Sequence, residues 1–316
     1  MIATLISHPS CHLHQMPTNH PECPARLDAI NNQLMANGID GLLYYRDAVA
    51  ATDEQLLRVH TQEHLQKIAA AIPGHGIRVF ADDVYLSPDT YTAARHAAGA
   101  AVMGVDMIMD GKTDAVFCNV RPPGHHAERA RAMGFCIINN VAVAAAHALV
   151  HHGLQRVAII DFDVHHGNGT QDIFMHEPRV LFCSSFQYPF YPHTNIDDVP
   201  AHIINTPLAA TCRSQGFRDA ISAQWLPALA QFKPQMIFIS AGFDAYIDDD
   251  MSSISLVEQD YGWITQQLRT LMDESKSAPL DEQCLGIVST LEGGYDLLGL
   301  GRCVVAHIKA LAKLQP

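Results

Sequence analysis

The sequence has few basic residues for its length. Its 316 residues include 20 Lys and Arg against 33 Asp and Glu, which gives a formal net charge of -13 at pH 7 with neutral histidine. A surface with this excess of acid repels nucleic acid and anionic membranes, and it mildly favours cationic substrates. We therefore expect neither a nucleic-acid partner nor a membrane partner.

Long apolar runs and paired cysteines are also lacking. The first eight residues include no Lys or Arg and no long apolar stretch, and the apolar run 141–150 is short and interrupted by His147, so neither segment suits a signal peptide or a membrane span. The eight cysteines include no C-x-x-C pair, and several lie inside apolar segments, as buried free thiols do. These absences indicate a reducing, cytoplasmic environment.

No internal repeat, low-complexity tract or Pro/Gly/Ser-rich hinge interrupts the chain. With 48% hydrophobic residues, residues 1–316 are predicted to form a single domain with a sizeable core. From about residue 114, short apolar runs alternate with amphipathic stretches, which is typical of βα units in a parallel sheet. The predicted fold is therefore α/β, with three α/β/α layers around a mainly parallel sheet.

The predicted elements follow this alternation. The expected strands cover residues 114–119, 156–162, 180–185, 236–241 and 285–290. The helices expected around them cover residues 138–152, 217–231, 256–272 and 301–314. The first hundred residues are expected to be richer in helix, with a helix at 24–37, a capping box at 52–55 and a long Ala-rich helix between 87 and 111.

Chemically active residues cluster directly after four of the predicted strands. In open parallel sheets the ligand site lies outside the carboxyl ends of the strands, so these positions are expected to meet at one edge. The four segments are R-P-P-G-H-H (121–126), D-F-D-V-H-H-G-N-G (161–169), A-G-F-D (241–244) and E-G-G-Y (292–295).

Two carboxylates and one imidazole in these segments have the composition of a catalytic zinc site. Asp163 and His165 are two positions apart at a strand end and therefore face the same side. Asp244 arrives from another strand end. Three protein ligands leave coordination open for water, unlike a closed structural site. The structural alternative, a polar strand end with Asp244 as a helix cap, would leave several polar groups uncompensated beside a hydrophobic sheet.

His125 and His126 are the candidates for proton transfer, because imidazole is both acid and base near neutral pH. Asp161 is placed to orient one ring, and Asn168 is placed to hydrogen-bond the other. Tyr295 follows two glycines that permit a sharp turn, so its phenol is a candidate for stabilising an oxyanion. From the motifs alone, a merely structural histidine pair and a loop with a packed aromatic ring stay open.

Five ordered motifs give the chain a resemblance to a known family. They resemble the histone deacetylase superfamily, most closely its class II and bacterial histone deacetylase-like amidohydrolases, and an H-P-E-x-P-x-R-L segment (20–27) extends the resemblance to nearly the whole chain. The motifs are R-P-P-G-H-H (121–126), G-F-C (134–136), D-F-D-V-H-H-G-N-G-T (161–170), S-A-G-F-D-A (240–245) and E-G-G-Y (292–295).

The resemblance implies the arginase/deacetylase fold and one zinc ion on the aspartate and histidine triad named above. In that scheme water is activated between the two histidines, with His126 as the main general base and acid and His125 assisting. Tyr295 would polarise the acetyl carbonyl, so an active enzyme is expected.

The resemblance also implies a narrow channel for the acylated chain, lined by Gly134, Phe135, Tyr191 and Met251. The sequence departs from the family pattern at 191–193 and at 248–250, both at the mouth of this channel. These departures bear on substrate preference. The resemblance also implies monovalent cations, K⁺ or Na⁺, at two further sites. The first site would use Asp161, Ser184 and the backbone at Asp163 and His165. The second would use the backbone near Phe174 and Val180.

The sequence therefore predicts zinc-dependent removal of acetyl groups from lysine or a lysine-like amine, with release of acetate. Acetylpolyamine hydrolysis stays open, because the acidic run 248–250 favours a cationic substrate, whereas Met251 stands where polyamine-selective relatives carry an acidic residue. A dimetal, arginase-like enzyme is disfavoured because the chain offers too few carboxylates. A non-catalytic acyl-group reader is disfavoured because the histidine pair and the tyrosine are all present. A homo-oligomer is compatible with the sequence.

Overall fold

An eight-stranded parallel sheet runs through residues 3–314, the part of the chain that the computed structural model describes. In chain order the strands are β1 (Thr4–Ser7), β2 (Tyr44–Asp47), β3 (Arg78–Ala81), β4 (Val84–Leu86), β5 (Ala115–Cys118), β6 (Val157–Asp161), β7 (Val180–Gln187), β8 (Ile203–Leu208), β9 (Met236–Ala241) and β10 (Ile287–Leu291). The sheet order is β2-β1-β5-β10-β9-β6-β7-β8, while β3 and β4 form a separate antiparallel hairpin.

Helices flank the sheet. They are α1 (Ser10–Leu13), α2 (Ala25–Ala36), α3 (Asp53–Leu57), α4 (Gln62–Ala71), α5 (Thr90–Met109), α6 (Asn140–Val150), α7 (Asn168–Phe174), α8 (Ser214–Phe232), α9 (Glu258–Ser275) and α10 (Leu297–Leu311). One group packs α10 against α2 and α9, and a second packs α5 against α1 and α6. Within residues 3–314 no helix is both long and apolar enough to cross a bilayer.

The central strands are buried along their whole length. Every residue of β5, β6, β7, β9 and β10 is buried, which explains their nearly continuous apolar runs, since helices cover both faces of a parallel sheet. The fold predicted from the sequence, a parallel α/β sheet between helical layers, is confirmed. β1 and β10 both pair with β5, so the first and last strands of the chain flank the same strand. The single-domain organisation stays a prediction.

Several helices begin at the polar residues that cap their free amides. Asn139 accepts a hydrogen bond from the amide of Ala142 at the start of α6, at 3.0 Å. Thr52 and Gln55 form the predicted capping box at the start of α3. Such caps satisfy amides that have no partner within the helix.

The structure contains strands that the sequence analysis did not predict. β1 has only two apolar residues between polar ends, and β2 is an exposed edge strand without an apolar run, so neither shows a strand pattern. β8 contains Pro207, which is tolerated because β8 lies at the other edge of the sheet. The last helix begins at Leu297, before the predicted residue 301, because glycines in its first turns mask the pattern. A Cβ atom on one of them, Gly301, would lie 2.8 Å from the carbonyl oxygen of Ala29.

Candidate active site

The four strands that precede the conspicuous motifs are neighbours in the sheet. β5, β10, β9 and β6 lie side by side in that order, so the loops that follow them begin at one edge. This adjacency brings the predicted residues together: His125 and His126 follow β5; Asp163, His165 and Asn168 follow β6; Asp244 follows β9; and Tyr295 follows β10.

Two carboxylates and one imidazole meet at the centre of this edge. His165 Nδ1 lies 3.0 Å from Asp163 Oδ1 and 3.1 Å from Asp244 Oδ2. All three side chains are buried, and one ligand atom from each lies within 4.8 Å of the others. The structure therefore assembles the triad that the sequence analysis selected for metal binding.

The surroundings of this triad fit a divalent metal ion. A Cβ atom on Gly293 would lie 2.2 Å from Asp244 Oδ2 and 2.6 Å from Asp163 Oδ2, so glycine lets the backbone approach both carboxylates. The Gly293 amide donates to Asp163 Oδ2 at 2.9 Å, and the Val164 amide donates to Asp244 Oδ1 at 2.8 Å. Two carboxylates and one imidazole form a donor set that suits zinc and other divalent transition metals.

The charges of the triad favour a bound cation. Burial and the neighbouring charge of Asp163 raise the pKa of Asp244 to about 7. Burial opposes the charge of Asp163 as well, but His125 and His165 hold its pKa below the usual range. A divalent cation offsets this repulsion between two buried carboxylates.

His125 and His126 lie beside the triad and have different hydrogen-bond partners. His125 Nδ1 lies 3.0 Å from Asp161 Oδ2, and His126 Nδ1 lies 2.7 Å from Asn168 Oδ1. The two ring centroids are 4.0 Å apart, and His125 Nε2 lies 3.7 Å from an oxygen of Asp163. The structure thus gives one ring a carboxylate partner and the other ring an amide partner.

This difference in partners separates the two histidines electrostatically. Burial and the charges of His125 and His165 hold the pKa of His126 well below its usual value. Burial also disfavours the charge of His125, but the carboxylates of Asp163 and Asp161 outweigh it and raise the His125 pKa well above its usual value. His126 is therefore the neutral member of the pair and His125 the cationic one.

A buried glutamate, to which the sequence analysis gave no role, supports the histidine loop. Glu292 Oε2 accepts hydrogen bonds from the amides of Gly124 and His125 at 2.6 and 3.1 Å, and Oε1 accepts one from the Ser240 hydroxyl at 3.1 Å. Burial raises the Glu292 pKa to about 7. The sequence signals this supporting role of Glu292 only through its position, as an acidic residue directly after an apolar strand.

Tyr295 is fixed by contacts to its backbone and to its ring. Its amide donates to Asp249 Oδ2 at 2.6 Å, and the guanidinium carbon of Arg26 lies 4.9 Å from its ring centroid. Arg26 Nε also donates to the carbonyl oxygen of Gly294 at 2.7 Å. Burial and the charge of Asp244 raise the Tyr295 pKa well above its usual value, although Arg26 acts in the opposite direction. The phenol therefore stays protonated and able to donate.

Aromatic rings border the approach to the histidines. The Tyr191 ring centroid lies 5.3 Å from that of His126, and the Phe135 centroid lies 6.1 Å from that of Tyr295. Gly134 has a φ of 56°, and a Cβ atom there would lie 2.2 Å from His126 Cδ2. Three of the four predicted channel residues therefore lie against the active-site side chains.

Asp83, in the turn of the β3–β4 hairpin, also contacts this region, and the sequence analysis did not single it out. Its Oδ1 accepts the amide of Gly134 at 3.0 Å, and its Oδ2 accepts the hydroxyl of Tyr191 at 2.8 Å. One carboxylate thus connects two of the predicted channel residues. No local pattern in the sequence signals this contact, because the hairpin lies far from both partners in the chain.

The acidic run 248–250 differs from the expectation in its central residue. Asp249 is buried and accepts hydrogen bonds from the amides of Tyr295, Asp296 and Met251 at 2.6, 3.0 and 3.0 Å. The expectation that its carboxylate attracts a cationic substrate is therefore wrong, because the backbone already engages it. Its two acidic neighbours are exposed, and Met251 is partly exposed beside this turn.

The residues expected at the monovalent-cation sites occupy two places. Asp161 and Ser184 are register partners on β6 and β7, and Asp161 Oδ1 accepts the amide of Asp163 at 3.2 Å. The second set lies between the end of α7 and the start of β7, where the Phe174 carbonyl accepts a hydrogen bond from His202 at 3.1 Å. Cation binding at either place stays a prediction.

A buried ion cluster anchors the 20–27 segment to the active-site loops. Glu22 pairs with Arg121 at 2.8 Å, between Oε2 and Nη2, and with Arg26 at 3.4 Å. All three side chains are fully buried. Burial opposes the charge of Glu22, but Arg121 and His14 hold its pKa well below the usual range. Sequence reasoning found the motif but not this pairing.

The fold and this site together define a hydrolase with the arginase/deacetylase fold. A family model described as the histone deacetylase domain matches residues 20–311. The chain therefore belongs to the histone deacetylase family.

Relatives and a solved structure agree with this assignment. An uncharacterised protein of Synechocystis sp. is 40% identical over 304 residues, which cover 94% of this chain and 95% of that protein. The histone deacetylase-like amidohydrolase of Pseudomonas aeruginosa is 33% identical, with 93% and 77% covered. The polyamine deacetylase HDAC10 of Mus musculus is 35% identical, with 92% of this chain but 44% of that protein covered. The crystal structure of the HDA15 HD domain superposes with a TM-score of 0.90 at 32% identity and covers 100% of this chain and 90% of that one.

Proposed function

We propose that the protein is a zinc-dependent deacetylase that hydrolyses the N-acetyl amide of lysine or a lysine-like amine and releases acetate. The observation that carries this proposal is the position of a buried two-carboxylate, one-imidazole triad beside two histidines with different hydrogen-bond partners. Asp163, His165 and Asp244 would hold the zinc ion. When bound, zinc supplies a Lewis acid that polarises a carbonyl group and makes water more acidic.

His126 is proposed as the general base that takes the proton from the attacking water. Asn168 Nδ2 donates to Glu128 Oε1 at 2.9 Å, which turns the amide oxygen of Asn168 toward His126 Nδ1. His126 therefore carries its proton on Nδ1 and keeps the lone pair on Nε2 free. The same nitrogen can then return the proton to the departing amine.

His125 is proposed to assist as a cation. Its Nδ1–H donates to Asp161 at 3.0 Å, so its charge is held close to the reacting groups. Two titratable groups whose environments separate their pKa values in this way are typical of acid and base roles.

Tyr295 is proposed as the donor to the acetyl oxygen as negative charge develops there. Its turn is fixed by Arg26 and Asp249, so the phenol is positioned before the substrate arrives. Preorganised donors of this kind contribute about 3 kcal/mol to transition-state stabilisation.

The substrate is proposed to reach these groups as an extended alkyl chain between Phe135 and Tyr191. Apolar walls suit the uncharged methylenes of a lysine side chain. Acetylpolyamines are a second candidate, supported by the two exposed aspartates that flank Asp249 and by similarity to a protein named polyamine deacetylase. We further propose a cytoplasmic location and structural K⁺ or Na⁺ ions, as expected from the sequence.

The proposal is tested by hydrolysis of a matched pair, an acetyl-lysine peptide and N8-acetylspermidine, with zinc-loaded protein. A tenfold higher kcat/KM for one of the two substrates corresponds to about 1.4 kcal/mol in transition-state binding and assigns the substrate class. Chelation is expected to abolish turnover of both substrates. Turnover that survives removal of the metal would contradict the proposal.

Tyr295→Phe is the first variant to measure. It keeps the ring that packs under Arg26, so the fold and the zinc content should be unchanged. We expect kcat to fall by about 10²- to 10³-fold, as when one oxyanion donor is removed. An unchanged kcat with full zinc content would exclude the proposed role of the phenol.

A further inference from the structure

Three histidines and one aspartate meet at the carboxyl end of α6, away from the active site. Asp106 Oδ1, on α5, lies 2.8 Å from His147 Nε2 and 2.7 Å from His152 Nε2. The ring centroid of His151 lies 4.7 Å from that of His147 and 4.8 Å from that of His152. The four side chains thus form one compact group.

We propose that Asp106, His147, His151 and His152 form a second divalent metal site, and that this site takes Zn²⁺. Among residues 3–314, two groups of three or more potential ligands bring their donor atoms within 4.8 Å of one another, namely the active-site triad and this group. His147 and His151 are four residues apart and lie on one face of the end of α6. Three imidazoles and a carboxylate are a donor set that suits zinc.

The site is built partly inside the protein. The side chain of His147 is 4% exposed, that of His152 is 17% exposed and that of Asp106 is 45% exposed, while His151 is exposed. The ligands therefore combine one fixed imidazole with others that can adjust and that solvent can reach. Since all four coordination positions come from protein, the site is structural and joins α5 to α6.

Arg58 regulates access to this site. Its Nη1 donates to His147 Nδ1 at 2.8 Å, and its Nη2 pairs with Glu54 at 2.9 Å. An imidazole that accepts at Nδ1 carries its proton on Nε2, where it donates to Asp106. For His147 Nε2 to bind zinc, the ring proton must move to Nδ1, and Arg58 must turn away because Nδ1 then no longer accepts. Arg58 therefore competes with the metal for His147. When it turns away, its guanidinium can stay paired with Glu54 at the surface.

The second site lies at the opposite end of α6 from the active site. Asn140, at the start of this helix, donates from Nδ2 to the carbonyl oxygen of Pro122 in the histidine loop. The 11 residues of α6 span about 16 Å at about 1.5 Å per residue. The ligands at its carboxyl end therefore do not contact the substrate, and zinc there is expected to affect stability rather than turnover.

Zinc stoichiometry tests this inference, which does not depend on the proposed function. The full chain is titrated with Zn²⁺ against a chromophoric chelator and is expected to bind two equivalents. The double substitution His151→Asn with His152→Asn should reduce this number to one and leave deacetylase activity unchanged. Asp244→Asn should also leave one equivalent, and combining all three substitutions should leave none. His151→Asn alone serves if the double variant does not fold.

The outcomes separate the two metal sites. Unchanged zinc binding in the His151 and His152 variants would overturn the inference. A wild-type protein that binds a single equivalent, retained in Asp244→Asn and lost in the histidine variants, would support the second site and count against the proposed active-site metal. Arg58→Gln supplies a side-chain oxygen that can accept the Nδ1–H of His147, so we expect it to tighten the second site by about tenfold. Weaker binding in that variant would contradict the role given to Arg58.

Discussion

At the scale of single residues, the neighbours of His125 and His126 determine how the two rings differ. The two histidines are consecutive in the chain and both are buried. One of them donates to the carboxylate of Asp161 and the other to the amide of Asn168. A carboxylate stabilises the imidazolium form, whereas an amide oxygen fixes the tautomer without adding charge. The choice between Asp and Asn therefore separates a cationic from a neutral ring.

Asn168→Leu removes the acceptor for His126 Nδ1–H while keeping a side chain of similar size. The ring loses its fixed tautomer and orientation, so we expect kcat/KM to fall by about 10- to 100-fold, as for other groups that orient a reacting residue. Steady-state assays of variant and wild type at equal zinc content measure this effect. An unchanged kcat/KM would exclude Asn168 as the positioning residue.

Asn168→Asp is the matched control because it keeps an acceptor oxygen in the same place. Its carboxylate favours the protonated form of His126 and thus raises the pKa of the base. We expect the acidic limb of the kcat/KM profile to move to higher pH, with activity retained above it. An acidic limb at the wild-type pH would show that His126 does not titrate as the base.

Residue types and spacing were sufficient to select the triad, the histidine pair and their two orienting partners. They were insufficient for Glu292, Asp249 and Asp83, whose carboxylates bind amides from distant loops. Local sequence does not show which backbone amides a carboxylate will meet after folding. For this reason Asp249 was counted with the run 248–250 as favouring a cationic substrate, although its carboxylate holds the turn of Tyr295.

At the scale of helices and strands, the strand order explains why one edge of the sheet is functional. Five of the eight sheet strands were predicted, each within two residues, because helices cover both faces of these strands and their sequences are therefore mainly apolar. The order β5-β10-β9-β6 was not predictable, since it depends on pairings between segments far apart in the chain. β1 was missed because only two apolar residues lie between its polar ends, and β2 was missed because it is exposed and has no apolar run.

Two helical glycines should respond in opposite ways to alanine. A Cβ atom on Gly262, in α9, would have its nearest contact at 3.6 Å, whereas one on Gly99, in α5, would lie 1.8 Å from the carbonyl oxygen of Val49. Gly262→Ala should therefore raise the free energy of unfolding by about 0.5 to 1 kcal/mol, because alanine loses less backbone entropy in a helix. Gly99→Ala should lower it by about 1 to 3 kcal/mol through overpacking.

Urea unfolding of both variants measures these differences. Deacetylase activity serves as a control for Gly262→Ala, which should leave it unchanged. If Gly99→Ala does not lower the free energy of unfolding, the packing of α5 against the segment around Val49 differs from the structure, and if Gly262→Ala lowers it, the space beside α9 does.

At the scale of the whole molecule, buried ionisable groups link stability to pH. Burial and the charge of His64 lower the pKa of His60 to about 3, and burial lowers the pKa of His307 to about 3. His307 lies between the hydroxyls of Thr265 and Ser289, at 2.6 and 2.8 Å. Both rings therefore stay neutral in the folded protein at pH values where the unfolded chain is protonated.

This difference predicts that stability falls as the pH falls below about 6.5, the ordinary pKa of histidine in an unfolded chain. Below that pH the unfolded state binds a proton at each of these histidines and the folded state does not, until the pH approaches about 3. Each histidine should lower the free energy of unfolding by about 2 kcal/mol between pH 7 and pH 5.

His307→Gln tests this linkage, since glutamine can bond the same two hydroxyls but does not titrate. Its stability at pH 7 can differ from that of the wild type, so the quantity to measure is the change in unfolding free energy between pH 7 and pH 5. We expect this change to be smaller than in the wild type by about 2 kcal/mol. The exposed His75 is the matched control, and His75→Gln should leave the change as it is. Because the metal sites are the same in all three proteins, their own pH dependence cancels. If His307→Gln loses as much stability between pH 7 and pH 5 as the wild type, the ring of His307 is protonated or accessible in the folded wild-type protein.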